Sequence, residues 1–165
     1  MSSNGDSGGE VSNASVLGEI VWLLSYSKLH RDWPIGSIQQ WVLPAIYHGM
    51  FRLYRQNGKP HGYVSFALLS KEVEEAYVLN TSTLRPEDWK SGERGWIIDF
   101  VAPFGGAGKI AYDLKYNFLK DRVGRYLRVR PGSDTGYIKY LHGADYAGRG
   151  DDEEINPTVR LKTHL

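Results

Sequence analysis

The sequence contains no cysteine, and this absence excludes disulfide bonds, thiolate metal sites and cysteine nucleophiles. Long apolar runs are missing too, since none approaches the roughly 18 residues that a membrane-spanning helix needs. The N-terminus also lacks the basic and then apolar pattern of a secretory signal peptide. These absences predict a cytoplasmic protein with no membrane span.

A strong net charge is likewise missing. The chain has 20 Lys and Arg against 19 Asp and Glu, for a net charge of +1, which does not suggest a nucleic-acid-binding protein. Between positions 109 and 139 basic residues exceed Asp113, Asp121 and Asp134. A basic surface of this kind suits a phosphate-bearing ligand or an acidic protein, and a solvated helix face is the alternative. The basic residues are Lys109, Lys115, Lys120, Arg122, Arg125, Arg128, Arg130 and Lys139.

Hydrophobic residues make up 41% and aromatic residues 13% of the 165 positions, enough for one domain with a sizeable core. Residues 1–13 are almost wholly polar, so we expect a disordered tail there. Residues 14–146 carry the apolar patterns and form the predicted domain. Residues 147–165 are acidic and then basic, which predicts a tail or a short final helix.

Local patterns predict most secondary-structure elements. Apolar residues spaced three and four apart predict a helix from Val16, capped by Ser12 or Ser15, and a short second helix over 35–42 that Pro44 interrupts. Asn57-Gly58 between two alternating segments predicts a hairpin of strands 50–55 and 61–69. Further predicted elements are a helix over 70–80, a central strand over 96–102, a helix from Lys109 to Lys120, and strands over 126–130 and 137–141.

The predicted central strand is apolar apart from Asp99, so we expect it to be buried on both faces. A buried carboxylate is costly unless another group pairs with it. Gly105, Gly106 and Gly108 follow this strand and a helix begins at Lys109. A strand, a glycine-rich turn and a helix can cradle a phosphate through free backbone N–H groups. The alternatives are an ordinary turn and a core aspartate that serves only the structure.

The predicted order is helix, helix, hairpin, helix, central strand, glycine loop, helix, strand, strand. It indicates an α/β protein with a mixed, mainly antiparallel sheet flanked by helices. The order resembles the GNAT acyltransferase fold, in which the pantetheine arm of the acyl donor lies beside the central strand.

His30 lies between the first predicted helix and the Trp33-Pro34 corner, in a segment whose side chains can enter a cleft. A neutral imidazole can accept a proton near pH 7. A buried acid bonded to its other nitrogen would fix the tautomer, and Asp99 is the natural candidate. Capping a helix is the alternative role for His30.

Three further side chains are candidates for the same site. Ser27 lies three residues before His30 and can donate a hydrogen bond or cap a turn. Tyr63 can place its hydroxyl near the centre of the sheet or serve the core. Arg128 alternates with Arg130 on one strand, where the two can hold an anion or form an exposed basic face. No metal-ligand spacing appears in the sequence, so we expect no metal site.

Several blocks are similar to the RTX toxin-activating lysine acyltransferases. Two of them are specific together: His30-Arg31-Asp32-Trp33-Pro34, and the block that runs from Ile98-Asp99-Phe100 through Val101-Ala102-Pro103 to Phe104-Gly105. The similarity follows the chain in order from about Leu17 to Gly143. The remaining blocks lie at 17–23, 27–29, 42–46, 62–66, 87–89, 91–94, 96–97 and 127–131.

This resemblance implies a GNAT-like fold, a homodimer and a cytoplasmic location. It implies that a fatty acyl chain passes from acyl carrier protein, as a phosphopantetheine thioester co-substrate, to internal lysines of an RTX protoxin, with no permanently bound cofactor. By resemblance, the essential histidine and aspartate are His30 and Asp99, and the contributing residues are Ser27, Tyr63 and Arg128. His30, supported by Asp99, acts either as the base that deprotonates the lysine or as the residue that accepts the acyl group, and the sequence does not separate these two routes.

Two other functions remain open. One is a GNAT enzyme that acetylates a small amine from acetyl-CoA. The other is a homologue that binds carrier protein or toxin and catalyses nothing, because Trp41 stands where the family commonly has an asparagine.

Overall fold

The computed structural model describes residues 12–129, 135–148 and 158–160. The predicted tail up to residue 11 and Arg130 lie outside the described residues. The helices are α1 (Asn13–Tyr26), α2 (Ser37–Trp41), α3 (Leu43–Tyr47), α4 (Lys71–Leu79) and α5 (Ala107–Asp113), which a π-helical turn, Leu114–Phe118, extends. Two 3-10 turns, Thr81–Thr83 and Pro86–Trp89, follow α4. The strands are β1 (Phe51–Gln56), β2 (Lys59–Leu69), β3 (Arg94–Val101), β4 (Val123–Val129), β5 (Thr135–His142) and β6 (Thr158–Arg160).

The strands form one six-stranded sheet in chain order, β1 to β6. Only the β3–β4 pair is parallel and the other pairs are antiparallel. The predicted mixed, mainly antiparallel α/β class is therefore confirmed, and the order of elements fits the GNAT-like fold. Strand β6 falls in the stretch where a tail or a short helix was expected, and there it extends the sheet beyond β5.

The hairpin follows from two residues that tolerate positive φ. Asn57 has φ 52° and Gly58 has φ 74°, as a two-residue turn between right-twisted strands requires. The turn joins β1 and β2, which pair from Phe51–Ser65 to Gln56–Lys59. The hairpin prediction is confirmed, with β2 starting two residues earlier than expected.

Helix starts depend on local caps. The Ser12 hydroxyl accepts a hydrogen bond from the Ser15 backbone N–H (3.2 Å), and the Ser70 hydroxyl accepts one from that of Val73 (3.2 Å). The second predicted helix ends as expected before Pro44, but Pro44 also lies at the start of a further helix that was not predicted. Helix α2 stops at Trp41, and Pro44 stands in the first turn of α3, where its missing N–H costs no hydrogen bond.

The sheet has two differently covered faces. On the α1 face, Tyr63 and Val101 pack against α1, and Ala67 and Trp96 lie in a cluster with α3 and α4 residues. On the α5 face, Val64 and Ile97 pack against Ile110 and Leu114 of the α5 segment. Alternation along β2 assigns each side chain to one of the two faces.

The central strand β3 is buried for only part of its length. Trp96, Ile97 and Val101 are buried, but Phe100 is 38% exposed, so the prediction of burial on both faces is wrong at this end. Strand β4 pairs with β3 only at Trp96–Arg125 and Ile97–Tyr126. Phe100 still pairs with Val64 of β2, but on its other side no described residue of β4 pairs with it.

One predicted member of the basic surface is a core residue. Arg125 is buried, and its Nε lies 3.4 Å from Oε1 of the equally buried Glu74 of α4. Glu74 also accepts hydrogen bonds from Trp96 Nε1 (2.8 Å) and from Arg94. A buried carboxylate needs such partners, so Arg125 stabilises the core and is not part of the basic surface.

Candidate active site

His30 and Asp99, 69 positions apart, meet on the α1 face. His30 Nε2 lies 3.0 Å from Asp99 Oδ1, and His30 is buried. Tight turns after α1 hold His30 in place, since the backbone N–H groups of His30 and Arg31 both donate to the Ser27 carbonyl. The Trp33 ring packs edge-on against the imidazole, with 4.6 Å between centroids.

An irregularity in β3 aims Asp99 at His30. Ser65 pairs with Asp99 and Phe66 with Ile97, so that Ile98 has no partner on β2. This extra residue explains why Trp96 and Val101, five positions apart, both lie on the α1 face. The Asp99 backbone N–H donates to Ser65 Oγ (3.1 Å). Without this bulge, Asp99 and Trp96 would point to opposite faces.

A hydrogen-bonded chain runs from Ser27 through His30 to Asp99. Ser27 Oγ lies 2.6 Å from His30 Nδ1. An ionised carboxylate can only accept hydrogen bonds, so Asp99 selects the tautomer of neutral His30 that carries its proton on Nε2. Nδ1 then keeps a lone pair and accepts from the Ser27 hydroxyl. The proton-accepting nitrogen of His30 is therefore Nδ1, on the Ser27 side.

The inner wall of the site holds polar atoms that lack partners among the described residues. Asp99 Oδ2 and the Tyr63 hydroxyl are both buried without a hydrogen bond of ordinary geometry. Burial and then the Asp99 charge raise the pKa of Tyr63, while the Ser65 hydroxyl opposes this shift. The same two causes raise the pKa of Tyr77. Two neutral phenols thus lie near the Asp99 carboxylate.

The glycine loop leads from β3 into α5. Gly105 has φ 89° and Gly106 has φ 82°, a backbone that side-chain-bearing residues rarely adopt, and Gly108 lies inside α5. A Cβ on Gly106 would lie 3.2 Å from His61 Nε2. Nothing in the sequence pattern indicates that His61, near the start of β2, reaches this loop.

Strands β3 and β4 separate beyond Ile97 and Tyr126, their last paired residues. The backbone edges of 98–101 and 127–129 are therefore not paired with each other, and we call this unpaired stretch the β3–β4 gap. Arg128 is exposed, and it alternates with Leu127, which packs on the α1 face. Arg128 thus belongs to the α5 face, and the structure does not bring it to the His30–Asp99 pair.

The remaining sequence signals contribute no further site. Trp41 is partly buried and packs against the core cluster that contains Trp89. Within the described ranges, no group of three or more His, Asp or Glu side chains could hold a metal ion. The described helices are all too short or too polar to cross a membrane.

Comparison with known proteins gives a consistent result. The profile of a family described as the RTX toxin acyltransferase family matches residues 10–140. The RTX-II toxin-activating lysine-acyltransferase of Actinobacillus pleuropneumoniae is 40% identical over 130 residues, which cover 78% of this chain and 81% of the relative. A protein-lysine myristoyltransferase of Escherichia coli is 38% identical over 149 residues, which cover 90% and 85% of the two chains. One of Kingella kingae is 38% identical over 129 residues, which cover 78% and 77%.

Proposed function

This chain belongs to the RTX toxin acyltransferase family and is an acyltransferase, and we propose that it moves a fatty acyl chain from acyl carrier protein to the ε-amino groups of internal lysines of an RTX protoxin. The observation that carries the proposal is the buried hydrogen-bonded chain of Ser27, His30 and Asp99. It works in the cytoplasm as a homodimer, needs no permanently bound cofactor, and uses the phosphopantetheine thioester as co-substrate.

The chemical step begins with the lysine. Its amine has an ordinary pKa of about 10.4 and is mostly protonated near pH 7, so one proton passes to solvent before the amine attacks. The neutral amine forms the new C–N bond at the thioester carbonyl carbon and the C–S bond breaks. A second amine proton passes to Ser27 Oγ while the Ser27 hydroxyl proton moves to His30 Nδ1. The carrier leaves as a thiolate, takes the proton from the His30 imidazolium to become a thiol, and leaves His30 neutral again.

Asp99 supports this step in two ways. It holds the His30 tautomer through the 3.0 Å contact at Nε2, and its charge stabilises the imidazolium that forms. Its free Oδ2 and the Tyr63 hydroxyl lie on the same inner wall. Tyr63 keeps its proton because its pKa is raised, and its neutral hydroxyl is available as a donor during the reaction.

The phosphopantetheine part of the acyl donor binds along the β3–β4 gap. The loop with Gly105, Gly106 and Gly108 receives the phosphodiester, because its successive positive φ values turn backbone N–H groups outward. The amide groups of the pantetheine arm pair with the free edges of β3 and β4, as in strand addition. Arg128 and the exposed Lys139 attract the acidic carrier protein to the α5 face.

The test is intact-mass spectrometry of an RTX protoxin fragment after incubation with the full chain and myristoyl-loaded carrier protein. We expect a mass gain of one acyl group per modified lysine. His30→Ala should abolish the gain, whereas His48→Ala, which changes the exposed histidine directly after α3, should retain it.

Each rival function predicts a different outcome. Transfer of an acetyl group from acetyl-CoA in the absence of carrier protein would support the small-amine acetyltransferase. Absence of any gain with folded protein, together with measurable binding of the protoxin or carrier protein, would support the non-catalytic homologue. Full activity of His30→Ala would show that the Ser27–His30–Asp99 chain is not the catalytic apparatus.

A further inference from the structure

Three aromatic side chains form an exposed cluster next to the proposed active site. Trp22 and Tyr26 of α1 contact Phe104, with ring centroids 5.4 and 5.2 Å away, and lie 5.0 Å from each other. The rings remain 41%, 55% and 43% exposed, respectively. We call these three residues the aromatic cluster. Grouped exposed rings of this kind usually mark a binding surface rather than ordinary surface residues.

The aromatic cluster connects the two parts of the proposed site. Tyr26 directly precedes Ser27, whose hydroxyl contacts His30 Nδ1, and Phe104 directly precedes Gly105 of the glycine loop. A molecule that lies on the cluster therefore begins beside the reacting thioester and stays close to the donor loop. This position therefore suits a part of the acyl donor better than a surface of the acceptor protein that lies far from the reacting lysine.

The chemistry around the cluster also favours the donor. An open cavity of about 330 Å³ adjoins it, at the small end of the usual range for ligand sites. Its lining contains one cation and no carboxylate, so it offers no negative charge to the lysine of the acceptor, whereas the apolar rings suit a hydrocarbon. The lining residues are Trp22, Gln56, Asn57, Lys59, Pro60, His61 and Phe104.

We propose that the aromatic cluster binds the hydrocarbon chain of the acyl donor and thereby sets the preference for long chains. This inference rests on the proposed acyl transfer and names the part of the molecule that recognises the fatty chain. Trp22 and Phe104 are specificity residues in this scheme, whereas His30 carries out the chemistry. Their removal should lower the rate with a long chain and leave a short chain almost unaffected.

The experiment is a competition between two donors. The full chain receives equal amounts of myristoyl- and butyryl-loaded carrier protein, and intact-mass spectrometry of the protoxin fragment gives the ratio of the two products. Each methylene group buried on the cluster adds to the preference. Phe104→Ala and Trp22→Ala should each lower the myristoyl-to-butyryl ratio about tenfold, and Phe104→Leu should restore most of it.

Tyr47→Ala is the matched control, since it removes a 68% exposed ring from α3, and its product ratio should equal that of the wild type. A fall of both products together, with the ratio unchanged, would overturn the inference, because the cluster would then contact the carrier protein or the protoxin. An unchanged ratio at full rate would overturn it as well.

A binding measurement separates this inference from the proposed function. Isothermal titration calorimetry compares decanoyl-pantetheine with acetyl-pantetheine on the full chain, without protoxin. The wild type should bind the long-chain probe about tenfold more tightly, and Phe104→Ala should lose this difference. Equal affinities for the two probes in the wild type would overturn the inference even if acyl transfer occurs. A long-chain advantage that depends on Phe104 would support it even if no transfer to a protoxin is seen.

Discussion

At the scale of single residues, the partners of a side chain decide its role in this protein. His30 has both ring nitrogens engaged, by Ser27 and by Asp99, and this assigns the proton-accepting atom. Tyr63 is the opposite case, since its buried hydroxyl makes no hydrogen bond of ordinary geometry in the described part of the chain, although the Ser65 hydroxyl acts on it. A buried hydroxyl with so weak a partner adds little to the stability of the fold, and we propose that it serves the reaction.

Replacing Tyr63 by phenylalanine tests that reasoning. Because no hydrogen bond of ordinary geometry is lost, the free energy of unfolding should change by less than about 1 kcal/mol. The transfer rate should fall about tenfold, because the reaction loses a neutral donor near the Asp99 charge. Urea denaturation and initial rates measure the two effects. A loss of more than about 2 kcal/mol without a change in rate would assign the hydroxyl to folding instead.

Tyr54 predicts a pH effect on stability. Burial and then its hydrogen bond to Asp113 raise the pKa of Tyr54 from 10.0 to about 12. The folded state therefore favours the protonated phenol, and this stabilisation is complete below pH 10 and is lost as the pH rises towards 12. Tyr54→Phe should make the free energy of unfolding fall less steeply over that interval, as measured by urea denaturation at several pH values. Parallel slopes for the two proteins would contradict the prediction.

At the scale of elements, one carboxylate of α4 holds two parallel strands together. Glu74 bonds to Arg94 and Trp96 of β3 and pairs with Arg125 of β4. Trp96 and Arg125 also form one of the two residue pairs between these strands. The Glu74 contacts thus hold β3 and β4 together at Trp96 and Arg125. The pairing ends one residue later, at Ile97 and Tyr126, where the β3–β4 gap begins.

Glu74→Ala should destabilise the fold by about 3–5 kcal/mol, because it removes the carboxylate that pairs with the buried Arg125 and with the partly exposed Arg94. Urea denaturation followed by circular dichroism measures this loss. Glu75→Ala is the matched control, since Glu75 is the exposed neighbour on α4, and it should change stability by no more than about 0.5 kcal/mol. Equal, small effects of both substitutions would show that the Glu74 network does not stabilise the strand pair.

At the scale of the whole molecule, the sheet separates two kinds of surface. The His30–Asp99 pair and Tyr63 lie on the α1 face. The exposed cations Arg128 and Lys139 lie on the α5 face, because Lys139 pairs with Tyr126 of that face. The β3–β4 gap connects the two sides. In the proposed reaction the carrier protein docks on one face and the lysine arrives on the other.

Arg128→Glu should therefore weaken carrier docking and leave the chemical step intact. We expect the KM for acyl carrier protein to rise about tenfold at low salt, with kcat nearly unchanged and with a smaller effect at high salt. Lys71→Glu, at an exposed position of α4, should leave the KM unchanged. A fall in kcat at constant KM would instead assign Arg128 to the reacting centre.

The sequence by itself determined the features that depend on neighbouring residues. The cap at Ser12, the Asn57-Gly58 turn and the cap at Ser70 use contacts within a few positions, and the structure has all three. The burial cost of Asp99 and the chemistry of His30 also indicated their pairing before the fold was known. The family blocks gave the same pair.

Only the tertiary structure decided which surface each strand residue faces and which side chains converge from distant segments. The bulge at Ile98 changes the alternation along β3, the Glu74 carboxylate draws Arg125 into the core, and Phe104 meets Trp22 across 82 positions. The physical reason is that these contacts depend on how elements distant in sequence pack together. A local pattern of charge or polarity carries no information about that packing.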